Sequence, residues 1–278
     1  MKKWFNPANA PQRHMLTIDQ LTINYVTTCE KILEYIRNTI KIAHVKGVVI
    51  AVSGGVDSAV ALMFAVKALG PRNVMVLTLP ERDVTPKNDV DDVMRLCAVL
   101  GVTCEHIEIT PILHVMRDNI PAYDPGDRLA YGNMKARLRM VLTYYYANKR
   151  SYMVMGTSNK TELYLGYYTK YGDGGVDVMP LADLYKHQIR ALGRHLGVPR
   201  SITEKPASAR LWIGQDTEED LGLPYDSLDL IVYAYLEGWT PSRIAEETGV
   251  DQASVEKIIA RIVANEHKRL PPAILRLS

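Results

Sequence analysis

A three-layer α/β/α fold built on a parallel sheet, with a C-terminal helical extension, is what this sequence predicts. Two observations carry the prediction. Short apolar runs recur at 48–52, 74–79, 103–109 and 152–156, and helical stretches separate them. The first run passes directly into Ser53-Gly54-Gly55-Val56-Asp57-Ser58, a glycine turn that opens a helix. Strands alternating with helices make βαβ units, and open sheets of such units bind ligands at the carboxyl ends of their strands.

The elements follow in order. Ile32, Leu33, Ile36, Ile40 and Ala43 form an apolar stripe opposite Lys31, Glu34, Arg37 and Lys41, which predicts a helix over 27–44. After the first strand and the glycine turn come helical stretches at 59–69 and 89–100, with the second strand between them. A long helix is predicted at 128–149. Met134, Leu138, Val141, Leu142 and Tyr145 lie on one side of it, while Met140, Tyr144 and Tyr146 add bulk on another. A helix apolar around so much of its circumference must bury more than one face, against the sheet or against a second copy of the chain; a homodimer is expected. Polar, glycine-rich loops follow at 167–177 and 204–222, the first expected to be mobile until ligand binds. The chain is read as one domain over 1–278, with an α/β core at 27–200 and a substrate loop and terminal helices at 201–278.

Composition narrows the class. Of 278 residues, 47% are hydrophobic and 23% charged, which describes a globular protein. A net charge of +2 offers little attraction for nucleic acid. No apolar run nears the roughly 20 residues that span a bilayer, so no membrane partner is expected. The three cysteines lack metal-ligand spacing, and the basic start (Met1 to Pro7) lacks a signal-peptide core. A cytoplasmic protein is expected. The stretch 244–255 has the shape of a helix-turn-helix, but the helix after it carries few base-reading side chains and reads as packing. The 16 tyrosines against 2 phenylalanines fit helix interfaces better than base-stacking platforms.

Chemistry concentrates at the glycine turn. Glycines let backbone N–H groups turn inward, and the helix N-terminus adds roughly half a positive charge, so Ser53 to Ser58 form a phosphate cradle. The Gly-Lys-Ser/Thr ending of a Walker A loop is missing. Asp57 sets a carboxylate where a metal–phosphate complex belongs, and Mg²⁺ prefers oxygen ligands. Gly156-Thr157-Ser158-Asn159-Lys160-Thr161-Glu162 follows another strand; there Thr157 is a candidate donor and Glu162 a second oxygen ligand. Read alone, Glu162 is an ordinary helix N-terminal acid.

SGGVDS resembles the pyrophosphate loop of N-type ATP pyrophosphatases, which transfer AMP to a substrate oxygen. Four further segments resemble NAD synthetases and stand in that family's order: Gly132 to Arg137, Thr169-Lys170-Tyr171-Gly172-Asp173-Gly174-Gly175, Lys205-Pro206-Ala207-Ser208-Ala209, and Glu266-His267-Lys268-Arg269-Leu270-Pro271-Pro272. The resemblance implies an adenine nucleotide alpha hydrolase-like fold and ATP-dependent amidation of deamido-NAD to NAD through an acyl-adenylate, with AMP and pyrophosphate released. It implies that Ser53, Gly54, Gly55, Val56, Asp57, Ser58, Thr157, Lys186 and Ser208 hold ATP, and that Asp57 and Glu162 bind Mg²⁺. Tyr35, Asn133, Arg137, Lys170, Asp177, His267 and Lys268 match positions that contact deamido-NAD. Asp173 either orients or deprotonates ammonium, or only closes its loop; Lys186 is the second catalytic candidate. No glutaminase segment is read in the chain, so free ammonia is the expected nitrogen source, with a separate glutaminase partner as the other route. Two departures stand out. Thr78-Leu79-Pro80 lacks the arginine with which many family members end the second strand, leaving Arg82 as a candidate substitute; Gln215-Asp216-Thr217-Glu218 departs from the usual Gln-Thr-Asp-Glu. Another pyrophosphatase-loop enzyme (a GMP-synthetase-like amidase or a tRNA-thiolating enzyme) or a non-catalytic ATP-binding regulator is the alternative reading.

Overall fold

The structure, a computed structural model, describes residues 15–277; the lysine-rich start lies outside them. Four strands, β1 (Val48–Ala51), β2 (Val74–Thr78), β3 (Thr103–His106) and β4 (Met153–Met155), form one parallel sheet in the order β3-β2-β1-β4. Val48 pairs with Val74 on one side and Met153 on the other. Alternation along the strands sends side chains to two cores. Val48, Ile50, Val74 and Val76 pack with the helices α1 (Tyr25–Ile42), α2 (Val56–Leu69) and α3 (Lys87–Leu100). Val49, Met75, Leu77 and Val154 face α4 (Thr110–Asp118) and α5 (Arg128–Arg150). These are the three layers the sequence predicts.

Boundaries shift for local reasons. α1 begins two residues before the expected start because the Asn24 side chain accepts from Thr27 N. β3 stops at His106 instead of running to 109. β2 has ended at Thr78, Pro80 has no N–H, and only the Ile107 N to Thr78 O and Ile109 N to Pro80 O bonds continue the pairing. α4 was not predicted, although Pro111 in its first turn is a start signal. α5 buries Ala136, Leu138, Thr143 and Ala147, but Val141 and Tyr145, expected on the stripe of Leu138, are 56% and 60% exposed.

Beyond the sheet come α6 (Lys160–Leu165), α7 (Lys186–His195), α8 (Arg200–Thr203), α9 (Thr217–Leu221) and α10 (Tyr225–Leu236), then α11 (Pro241–Thr248), α12 (Gln252–Ala264) and α13 (Glu266–Arg269). Leu228, Ile231 and Val232 of α10 form a third apolar cluster with Ile244, Val255, Ile258 and Ile262, and Leu165 and Tyr185 join it from the core side. The helix-turn-helix shape of α11 and α12 is real, and its apolar face is packed inward as expected.

Candidate active site

The sheet order places a crevice where the chain leaves β1 for one neighbour while β4 lies on the other side. Ser53 to Ser58 follow β1, and residues 156–162 follow β4, so both motifs open at this switch point. The cleft there has a volume of about 730 Å³.

The glycine turn is rigidly drawn. Ser53 N donates to Ser58 Oγ (3.2 Å), Ser58 Oγ to Gly55 O (3.0 Å), and Gly55 N to Ser53 Oγ (3.3 Å). Gly54 has φ +86°, and a Cβ there would stand 2.6 Å from the Asp89 carbonyl oxygen, so only glycine fits. The N-terminus of α2 has no side-chain cap, which leaves its first N–H groups for an anion.

Three ionisable groups meet beside it. Lys186, the first residue of α7 and 3% exposed, donates to Asp57 and lies 3.7 Å from Glu162 Oε1. Asn159 Nδ2 donates to Asp57 at 3.0 Å; Asn159 also forms a capping box with Glu162, its Oδ1 accepting from Glu162 N (2.8 Å) and its own N–H donating to Glu162 Oε2 (3.2 Å). Tyr225 Oη donates to Glu162 Oε1 at 3.4 Å. Burial and then the Asp57 charge push the Glu162 carboxyl up to about 7. Burial works against the Lys186 charge, but Asp57 and Glu162 outweigh it and hold the ammonium above its ordinary value.

Asp229 is the least expected member. It is fully buried on α10 and accepts from Thr161 Oγ1 of α6 and from the backbone N–H groups of Lys186 (3.3 Å) and His187 (2.8 Å). It thus caps α7 from another helix and fixes the neighbours of Glu162 and Lys186 together; burial pushes its carboxyl up to about 6. Its sequence signal was a lone acid in the apolar run Leu228 to Val232.

Two cation clusters fasten the loops. Lys205 Nζ donates to Gly54 O (3.1 Å), Asp89 (2.6 Å) and Asp92 (2.9 Å), while Arg210 Nε reaches Asp89 at 3.0 Å. Buried Lys135 pairs with Glu81 at 2.7 Å and donates to Leu211 O at 2.7 Å. Loop 204–222 is thereby tied to the phosphate turn and to α5. Ser208 and Thr157 both line the cleft. The Ser208 hydroxyl donates to Gln215 O (2.7 Å) and accepts from Arg210 N (3.2 Å).

The segment 169–175 is a compact set of turns. Asp173 lines the cleft and is reached by solvent, yet protein walls it closely and burial raises its carboxyl; one oxygen accepts from Thr169 N at 2.8 Å. Asn133 and Lys268 also line the cleft, Lys268 donating to Gly166 O (2.6 Å) and Tyr168 O (3.1 Å). Arg137, Lys170 and His267 do not line it but hold one another, with Lys170 Nζ on His267 O (2.6 Å) and Arg137 on Lys170 O (3.4 Å). Asp177 accepts from Tyr144 Oη (2.9 Å) and Val154 N (2.7 Å), and Tyr35 is exposed on α1; neither lines the cleft. Arg82, the candidate for the strand-end arginine, is paired with Glu108 at 3.0 Å and does not line the cleft, although Pro80 and Thr85 on either side of it do.

This fold and site define a nucleotide-binding α/β enzyme with an anion-binding turn at its switch point. The model of the NAD synthase family matches residues 28–272, and the chain belongs to that family. It is 44% identical over 261 residues to the NH(3)-dependent NAD(+) synthetase of Hyperthermus butylicus, covering 93% of this chain and 94% of that one. The NH(3)-dependent NAD(+) synthetase of Staphylothermus marinus is 42% identical, with 92% and 93% covered. Among solved structures, the NMN synthetase of Francisella tularensis superposes with a TM-score of 0.81 at 32% identity, over 92% of this chain and all of that one. The glutamine-dependent NAD+ synthetase of Acinetobacter baumannii gives 0.62 at 28% identity, and 91% of this chain matches 47% of it.

Proposed function

We infer that the chain amidates deamido-NAD to NAD with ATP and ammonia. The observation that carries this reading is the convergence of an uncapped α2 N-terminus, the Asp57–Lys186–Glu162 group and Asp173 on one cleft. The family membership and the named relatives support it.

In the first half-reaction a nicotinate carboxylate oxygen bonds to the α-phosphorus of ATP while the bond to the β-phosphate bridge breaks. An acyl-adenylate forms and pyrophosphate leaves. The turn's N–H groups and Lys186 hold the departing phosphates, so charge on them is met by fixed donors instead of reorganising water. In the second half ammonia attacks the carbonyl, AMP departs with the carboxylate oxygen, and one proton is lost. Asp173, at the cleft wall, is the group we assign to orient ammonium or take its proton.

Asp57 and Glu162 fit a hard divalent cation. Their oxygens share one lysine, and the burial and Asp57 repulsion that raise Glu162 are what such a cation offsets. Bound Mg²⁺ would neutralise phosphate charge as it develops. The dinucleotide acid is assigned to Asn133, Lys268 and the adjoining Arg137, Lys170 and His267. A homodimer is supported by the exposed Val141 and Tyr145 on α5. The core at 27–200 and the residues 201–278 work as one unit, since Asp229 and Lys205 join them at the site.

The test incubates the protein with Mg-ATP, ammonium chloride and either deamido-NAD or nicotinate mononucleotide. NAD, AMP and pyrophosphate in equal amounts are expected with the dinucleotide. ADP as product, turnover with glutamine alone, or preference for the mononucleotide would reject the reading.

A further inference from the structure

Most buried or half-buried cations at the cleft are held by carboxylates or by the end of a helix, and Arg139 is held by neither. Lys186 has Asp57, Lys135 has Glu81, and Lys205 has Asp89 and Asp92. Arg261 and Lys268 instead meet the carbonyls that end α6, Leu165 O and Gly166 O, where the helix dipole is negative. Arg139 has neither. It projects from α5 into the cleft wall, and its Nε donates to Leu79 O at 3.0 Å, just past the end of β2. Among the described residues, no carboxylate lies within ion-pair distance of it and no acceptor meets its terminal nitrogens. Glu81 and Asp173 are the acids that act on it through space.

A partly buried guanidinium without a counter-ion is costly unless an anion arrives with the ligand. Its position says which anion. Leu79 follows β2, the strand next to β1, and lines the same cleft as the phosphate turn and Asp173. Anchoring of Nε leaves both terminal nitrogens as a fork, which suits a two-oxygen acceptor such as a carboxylate or a phosphoryl group.

We propose that Arg139 is a catalytic residue that binds the oxyanion at the reacting junction, where the substrate carboxylate meets the α-phosphorus. This rests on the adenylation reading above. As the new oxygen–phosphorus bond forms and the bond to pyrophosphate breaks, the fork holds the oxygens of that junction in line. The anion is either an α-phosphoryl oxygen or the carboxylate itself.

The experiment is exchange of labelled pyrophosphate into ATP, dependent on deamido-NAD and run without ammonia, for wild type, Arg139→Gln and Arg139→Lys. Loss of exchange by about 100-fold in the glutamine variant is expected, as for removal of one oxyanion donor, and by at least about tenfold in the lysine variant. Melting temperatures should stay within about 3 °C of wild type, and NAD synthesis should fall in parallel with exchange. A KM rise for ATP alone assigns the fork to the phosphate, and a rise for deamido-NAD alone assigns it to the carboxylate. Exchange within threefold of wild type in a folded variant would overturn the proposal, as would intact exchange with lost NAD synthesis, which places the arginine in the ammonia step. If the glutamine variant fails to fold, the lysine variant decides alone. Absence of exchange in wild type would instead refute the adenylation reading.

Discussion

Glu162 shows how far one side chain depends on its surroundings. Burial and the Asp57 carboxylate raise it to about 7, above its unfolded value, so its proton-bound form favours the fold below about pH 4.5 and that contribution fades as pH climbs through 7. Cation binding needs the ionised form and runs the other way. Mg²⁺ affinity, measured by titration calorimetry in the absence of nucleotide, should tighten by up to about tenfold per unit as pH rises to 7 and level off above it. Glu162→Gln should flatten that profile; an unchanged slope would remove Glu162 from the metal site. Asp173 tests differently. Asp173→Asn should keep adenylation, seen as pyrophosphate exchange, while NAD formation from ammonia falls about 100-fold at pH 7. A near wild-type rate would leave the residue with only its loop-closing bond to Thr169 N.

Elements bring these residues together through caps more than through the sheet. α6 starts on the Asn159 capping box that also steadies Asp57, and α7 starts at Lys186 under a carboxylate borrowed from α10. Asp229→Asn keeps one acceptor but loses the charge, at a cost of about 2–4 kcal/mol for partly orphaned buried donors. It should lower kcat by tenfold or more with KM within about twofold, because Lys186 shifts while substrate contacts stay. Equal loss in kcat and KM would make Asp229 a packing residue only. The two motifs that open α2 and α6 were legible because their signals are local: a strand, glycines and an acid at the start of a helix. Asp229 was not, since Thr161 lies 68 residues from it in sequence. Arg139 was not singled out, since nothing in a basic residue on a long helix marks it. What sets it apart is a missing counter-ion, and only the packed structure shows that.

At the scale of the whole molecule, the parallel sheet and the inward-packed helix-turn-helix were readable from periodicity. The third apolar cluster was not, because it draws Leu165 and Tyr185 from the core side and Leu16 and Leu21 from the start of the described chain. α5 leaves Val141 and Tyr145 uncovered one turn apart, the face assigned to a second copy. Tyr145→Asp combined with Val141→Asp should halve the mass seen by light scattering, whereas a wild-type protein that is monomeric at working concentration would end the dimer proposal. The central claim, that the substrate carboxylate attacks the α-phosphorus, has a direct test in the fate of one oxygen atom. Deamido-NAD labelled with ¹⁸O in its nicotinate carboxylate should deliver one ¹⁸O into the phosphate of AMP for each NAD formed, read by mass spectrometry. Unlabelled AMP, or label in inorganic phosphate or pyrophosphate, would contradict it.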